Sequence, residues 1–228
     1  TVDADAFFNT AWYDAQPVGP LYIGKVLYKY VGQVPSEASV VTVRDGTVAI
    51  TAKAFENRSA LTGITIPDSV TAIGTDAFRY CDAIKTATVP AFAWKLLKDS
   101  KSSLQSATIT SGEVTSGMFQ GYSQLTSITF GDGVTAIGSN ACTNLRNLDT
   151  VVIGSNVTRI DSGAFDYCRS LTSVYYKGTA EEYAAIDIRT TSNDTLRSAI
   201  KYYYSETQPT GSGRYWHYDT DGATILVW

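Results

Sequence analysis

Short apolar stretches recur along the chain in nearly the same wording: LTGITI (61–66), IKTATV (84–89), LQSATI (104–109), LTSITF (125–130), LDTVVI (148–153) and LTSVYY (171–176). They end at Ile66, Val89, Ile109, Phe130, Ile153 and Tyr176, so successive ends lie 23, 20, 21, 23 and 23 residues apart. Other columns keep step with them. Ile50, Ile73, Ile137 and Ile160 stand five residues before Phe55, Phe78, Cys142 and Phe165. Those in turn stand six before Leu61, Ile84, Leu148 and Leu171, and Ala54, Ala77, Ala141 and Ala164 directly precede them.

A period in the low twenties predicts a leucine-rich repeat solenoid: β-rich, with a parallel sheet on one face, short helical or irregular connections, and caps at both ends. Each strand reads L-x-x-I-x-I, so Leu61, Ile64 and Ile66 are expected to point inward and Gly63 and Thr65 outward, because side chains swap faces at every strand residue. One coil cannot bury its own apolar set. Coils stacked roughly 4.8 Å apart cover one another's leucines, and each buried Leu or Phe contributes about 2 kcal/mol.

The wording ITIPDSVTAIGTDAFRYC (64–81) resembles the IP-x-S-V-x-x-I-G-x-x-A-F-x-x-C signature of the BspA-like (Treponema pallidum-type) leucine-rich repeats, and VTAIGSNACTNL (134–145) and NVTRIDSGAFDYC (156–168) repeat it. The resemblance covers about residues 40–178. WYDAQPVGPLYIGKVLYKYVG (12–32) is similar to the leading segment of some members, and VYYKGTAEEYAAIDI (174–188) to their usual exit. The resemblance implies a surface-exposed or secreted, mostly bacterial protein engaged in adhesion and in binding host or matrix proteins. Two stretches depart from the signature. AFAWKLLKDSKSS (91–103) reads as a short helix, and SGEVTSGMF (111–119) keeps only Val114 and Phe119 in register. The first is either a functional protrusion or drift.

Three parts are therefore expected: an N-terminal cap with a hairpin (1–39), about six repeats that are irregular at 91–119 (40–178), and a C-terminal cap of short helices and terminal strands (179–228). The alternation of LYIGKVLYKYV (21–31) around Gly24-Lys25 predicts the hairpin. Thr179 and Glu182 form a T-x-x-E capping box that starts a helix. KYYYSE (201–206), RYWHY (214–218) and TILVW (224–228) read as strands, the last two joined across Asp219–Gly222.

Composition narrows the chemistry. The chain of 228 residues carries 18 basic and 22 acidic side chains, a net charge of −4, which argues against nucleic acid as partner. No apolar run reaches the roughly 18 residues of a membrane span. The chain starts at Thr1 with no charged-then-apolar leader and reads as trimmed, so the missing leader says nothing about secretion; the resemblance is what implies a protein of the cell surface or exterior, its leader or anchor removed. One histidine, His217, and three cysteines without a C-x-x-C motif leave no usual zinc shell, and no metal or cofactor is expected. Cys142 sits in the aromatic slot, and Cys81 and Cys168 share a slot three residues past it; all three read as buried thiols. His217 has no nucleophile elbow to serve, and Asp219–Gly222 lacks the further ligands of a calcium loop and reads as a hairpin turn. No catalytic residue is assigned, and an enzyme is not expected.

The candidate ligand surface is the outward row of the strands: Thr65, Thr88, Thr108, Thr129, Thr150, Val152, Ser173 and Tyr175, a nearly uncharged hydroxyl ladder turning apolar and aromatic toward its C-terminal end. The alternative for this row is a plain solvated sheet face. A second candidate is the aromatic patch of Tyr215, Trp216 and Tyr218, which either anchors a partner or sugar ring or seals the last coil. The function expected is a binding or adhesion module for a protein ligand. The alternatives are a structural spacer and a glycan-binding module that uses the C-terminal aromatics.

Overall fold

The computed structural model describes residues 2–3, 5–36 and 39–228. The chain divides into two compact units, residues 1–107 and 108–228.

The first unit opens with a helical turn, α1 (Ala11–Asp14), whose Thr10 side chain caps Tyr13 N–H. The antiparallel hairpin of β1 (Gly19–Ile23) and β2 (Val26–Val31) follows. Gly24 takes φ +58° at its turn, in the left-handed region that glycine enters without steric cost. From there the chain coils. β3 (Val40–Thr42), β5 (Gly63–Thr65) and β7 (Thr86–Val89) run parallel, with Val41, Ile64 and Ala87 as successive rungs. A second sheet of order β1-β2-β4-β6 is completed by β4 (Ala49–Ile50) and β6 (Ala72–Ile73), which pair parallel through Ile50 and Ile73.

The repeated motif has a direct structural cause. Its glycine lies where two coils touch: a Cβ on Gly74 would stand 2.2 Å from Ala52 N. Phe55 and Phe78 are buried and stack face to face, with centroids 5.0 Å apart at 8°, and Phe55 N–H donates to Ala77 O of the next coil at 2.7 Å. The thiol three residues past Phe78 is part of the same scheme, since Cys81 Sγ donates to Phe55 O at 3.0 Å.

The segment that lacks the motif forms a 3-10 helix, Ala91–Ser100, kinked at Leu97, with Trp94 and Leu97 buried. Its side chains stand in for the absent repeat backbone. Asp99 Oδ2 accepts Tyr80 N–H at 2.9 Å, and the buried Ser100 hydroxyl donates to Cys81 O at 2.7 Å. Strand β8 (Ser106–Ser111) follows this helix in the chain.

In the second unit β9 (Ser127–Gly133) comes first, followed by β10 (Ala136–Ile137), β11 (Thr150–Ile153), β12 (Arg159–Ile160) and β13 (Ser173–Tyr176). Ile128, Val151 and Val174 are adjacent parallel rungs. Helix α2 (Ala180–Ala184) begins with the full Thr179/Glu182 capping box. β14 (Asp187–Ile188) pairs parallel with β12, and α3 (Asp194–Ser198) leads into β15 (Ile200–Tyr204). β15 pairs parallel with β13 and with β16 (Tyr215–Tyr218), and β17 (Ile225–Val227) closes this sheet antiparallel to β16. Its interior holds Phe119, Phe130, Phe165, Leu148 and Leu171, all buried. The three cysteines are free and buried.

Candidate binding surface

Strand alternation puts two rows of side chains on the outward face. In the first unit these are Val40, Gly63 and Thr86 beside Thr42, Thr65 and Thr88. In the second unit Ser127, Thr150 and Ser173 run beside Thr129, Val152, Tyr175 and Tyr202. Thr108, on β8, keeps the same alternation. Thr65, Thr88, Thr108, Thr129, Thr150, Ser173 and Tyr175 are all half-buried, as edge-on members of a packed row should be.

One residue of the outward row departs from the expected exposure, and the aromatic patch takes its sealing role at one residue. Val152 is only 2% exposed, covered between Thr129 and Tyr175 on the adjoining rungs. Trp216 is fully buried. Its ring packs edge-on against Tyr175, Tyr204 and Tyr218, at centroid distances of 5.7, 5.2 and 4.9 Å, and its indole N–H donates to Tyr176 O at 3.0 Å. A buried indole with its one donor satisfied is a packing element, so Trp216 offers no free surface.

The three-residue aromatic patch is also divided. Tyr218 joins Trp216, whereas Tyr215, one residue out of phase with both, folds back over Gly213, where an added Cβ would stand 2.3 Å from its ring. The patch gains two tyrosines in exchange. Tyr202 stacks on Tyr175 across adjoining rungs, with centroids 5.2 Å apart at 17°, and Tyr204 packs on Trp216. The signal for both lay in the rung alignment, since Tyr175 pairs with Tyr202 and Tyr204 with Trp216.

The electrostatics of this raft are mild. Burial, helped by the neighbouring Tyr202 phenol, pushes the Tyr175 hydroxyl above its ordinary range. Burial, then Asp132, does the same for Tyr218. Formal charge stays at the margin, where Lys177 Nζ meets Asp132 Oδ2 at 2.7 Å. The surface therefore presents hydroxyls and phenol rings, groups suited to contact and hydrogen bonding.

The residues set aside as chemically inert are engaged in packing. His217 stacks on Trp228 at 4.0 Å, and its Nδ1 lies 2.9 Å from Tyr218 O. The turn between β16 and β17 is tied by Asp221, whose carboxylate accepts Ala223 and Thr224 N–H. Among the described residues no cluster of three or more His, Cys, Asp or Glu side chains is placed to hold a metal ion.

These coils match a family model, the BspA type leucine rich repeat region, in six copies over residues 48–172. The chain belongs to that family. Among solved structures, the BspA-type chain is similar to a leucine rich cell surface protein from Faecalibacterium prausnitzii A2-165, at 29% identity over 71% of this chain and 38% of that one, with a TM-score of 0.42. It is also similar to the pneumococcal vaccine antigen PcpA, at 19% identity over 80% and 40% of the two chains, TM-score 0.40. A third likeness is to the T. pallidum leucine rich repeat protein, at 20% identity over 78% of each chain, TM-score 0.34. The BspA-type chain thus spans about two fifths of the length of the first two. No curated protein matches it. Among its described residues no helix is long and apolar enough to cross a membrane.

Proposed function

We propose that this chain is a non-enzymatic binding module of a bacterial surface protein and that it holds a protein ligand on the outward rows of the second unit. The observation that carries the reading is the Tyr175–Tyr202 pair: two stacked, half-buried rings on adjoining rungs, beside the hydroxyls of Thr129, Thr150 and Ser173. Neither row holds a charged side chain. Tyrosines fixed by their neighbours contribute wide contact area at small entropic cost and dominate interface energetics. Family membership supports a binding role, and the similar protein from F. prausnitzii is described as a cell surface protein. Extended repeat faces supply such surfaces, and several weak contacts on one face act together.

The test is a screen of the chain against an array of serum and extracellular-matrix proteins, repeated with Tyr175→Ala and Tyr202→Ala. Specific signals that weaken about tenfold or more in both variants, with unchanged urea midpoints, support the reading. Signals indifferent to both substitutions, or none at all, refute it.

A further inference from the structure

A second surface of the same unit carries different chemistry. An open pocket of about 550 Å³ is lined by Arg197 and Ser198 of α3, Lys201 and Tyr203 of β15, and Ser212 and Arg214 of the loop before β16. Three of its lining residues are cationic, and none is acidic, in a chain whose net charge is −4. The cations are held unequally. Lys201 Nζ donates to the carbonyl oxygens of Leu196, Arg197 and Ala199 at 2.7, 2.6 and 2.6 Å, which fixes its charge at the C-terminal end of α3. Among the described residues Arg197 makes one long contact, 3.3 Å to Ile188 O, and no ion pair. Among the described residues, nothing pairs with or hydrogen-bonds the Arg214 guanidinium.

Like charges gathered without a counter-ion repel one another, and the arrangement becomes favourable when an anion enters. A guanidinium offers a carboxylate two parallel donors, so Arg214 and Arg197 are suited to an oxyanion rather than to a diffuse negative surface. The remaining lining residues with polar side chains are Ser198, Ser212 and Tyr203, of which Ser198 already donates to Thr195 O. Hydroxyl partners call for a polyhydroxylated ligand, and the volume falls in the range of small-molecule sites, about 300–1,000 Å³. An acidic peptide would meet the arginines and leave those hydroxyls to water.

We infer that this pocket binds an acidic sugar, its carboxylate held by Arg214 and Arg197 and its ring hydroxyls by Ser212 and Tyr203. The site uses neither Tyr175 nor Tyr202, so its failure and the failure of the protein-binding reading are separate results.

The experiment is an NMR titration of the full ¹⁵N-labelled chain with three probes: a glucuronic-acid-terminated disaccharide, its glucose-terminated neutral counterpart, and hexaglutamate. The acidic disaccharide is expected to bind with a Kd on the order of 1 mM, to shift the amides of 212–214, and to weaken as salt is raised. Arg214→Gln and Arg197→Gln, both at exposed positions, are each expected to weaken it about tenfold or more without moving the urea midpoint. Three results overturn the inference: no shift at 212–214, equal binding of the neutral disaccharide, or hexaglutamate binding as well as the acidic sugar with the same arginine dependence.

Discussion

The side-chain oxygen of Asn193 accepts the backbone N–H of Phe165 at 3.3 Å, while its amide nitrogen donates to Asp161 O at 2.8 Å and Arg189 O at 2.9 Å. In the preceding coils that job belongs to backbone: Phe119 N–H donates to Ala141 O and Cys142 N–H to Ala164 O. After Phe165 the next coil has no alanine in that column, and the fully buried amide of Asn193 takes its place. The last repeat is thus closed by a side chain imitating a peptide group. Asn193→Ala leaves Phe165 N–H without its acceptor and takes one donor each from the Asp161 and Arg189 carbonyls, and the expected loss is about 3 kcal/mol, read as a lower urea midpoint.

The aromatic column of the second unit is interrupted at Cys142, and Phe130 compensates. Its ring packs edge-on against Phe119 at 6.1 Å and Phe165 at 6.3 Å, the two column members on either side of Cys142. Ile66, Val89, Ile109 and Ile153 are smaller inward residues at the same strand position, and Tyr176 alone among these ends is larger. Cys142→Phe alone should therefore overpack the unit and cost roughly 1–3 kcal/mol. Adding Phe130→Ile should recover most of it, a coupling visible in a double-mutant cycle by denaturant unfolding.

Burial raises all three thiols: Cys81 to about 11, Cys168 to about 12, and the wholly buried Cys142 well above its ordinary value. Folded thiols stay protonated where unfolded ones, near pH 9, already ionise. Stability is intact below pH 9 and falls as the pH rises from 9 through about 12, because there the unfolded state binds fewer protons. The check is the urea midpoint as a function of pH, with Ellman's reagent expected to find no reactive thiol at pH 8 until denaturant is added.

Trp216 and Tyr175 sit in one cluster and should behave oppositely on truncation. Trp216→Ala removes a fully buried indole and its bond to Tyr176 O, with an expected loss of about 3–5 kcal/mol. Tyr175→Ala removes a half-buried ring at the surface of the raft and should cost far less stability. Thermal unfolding of the two variants separates a packing residue from a contact residue.

The period made most of this legible. The columns at Ile50, Phe55 and Leu61, and their repeats, fix strands, turns and core together, because each coil must bury its apolar set against the next. What the sequence does not display is side-chain substitution for backbone. Asp99, Ser100 and Asn193 satisfy groups as far as 32 residues away, with no motif to mark them. Alternation also puts Val152 on the outward side without revealing its burial, and leaves Trp216 open between anchor and seal, since burial there depends on the neighbours on adjoining rungs. Tyr202 and Tyr204 are visible in the sequence as part of the aromatic-rich C-terminal run, and rung alignment places them beside Tyr175 and Trp216. The 3-10 helix Ala91–Ser100 was anticipated as helical, while its role in completing a coil rests on Asp99 and Ser100 alone.

Parallel strands in strict register build both the core and the outward rows, and cysteine crosslinking measures that register directly. Thr150 and Ser173 are rung partners, whereas Thr150 and Tyr175 are offset by two residues, which places their Cα atoms about 8 Å apart from the spacing of strands and residues. A thiol crosslinker just long enough to join neighbouring rungs is expected to bridge Thr150→Cys with Ser173→Cys and to leave Thr150→Cys with Tyr175→Cys open. Bridging of the offset pair in preference to the aligned one would contradict the register on which both the core and the outward rows depend.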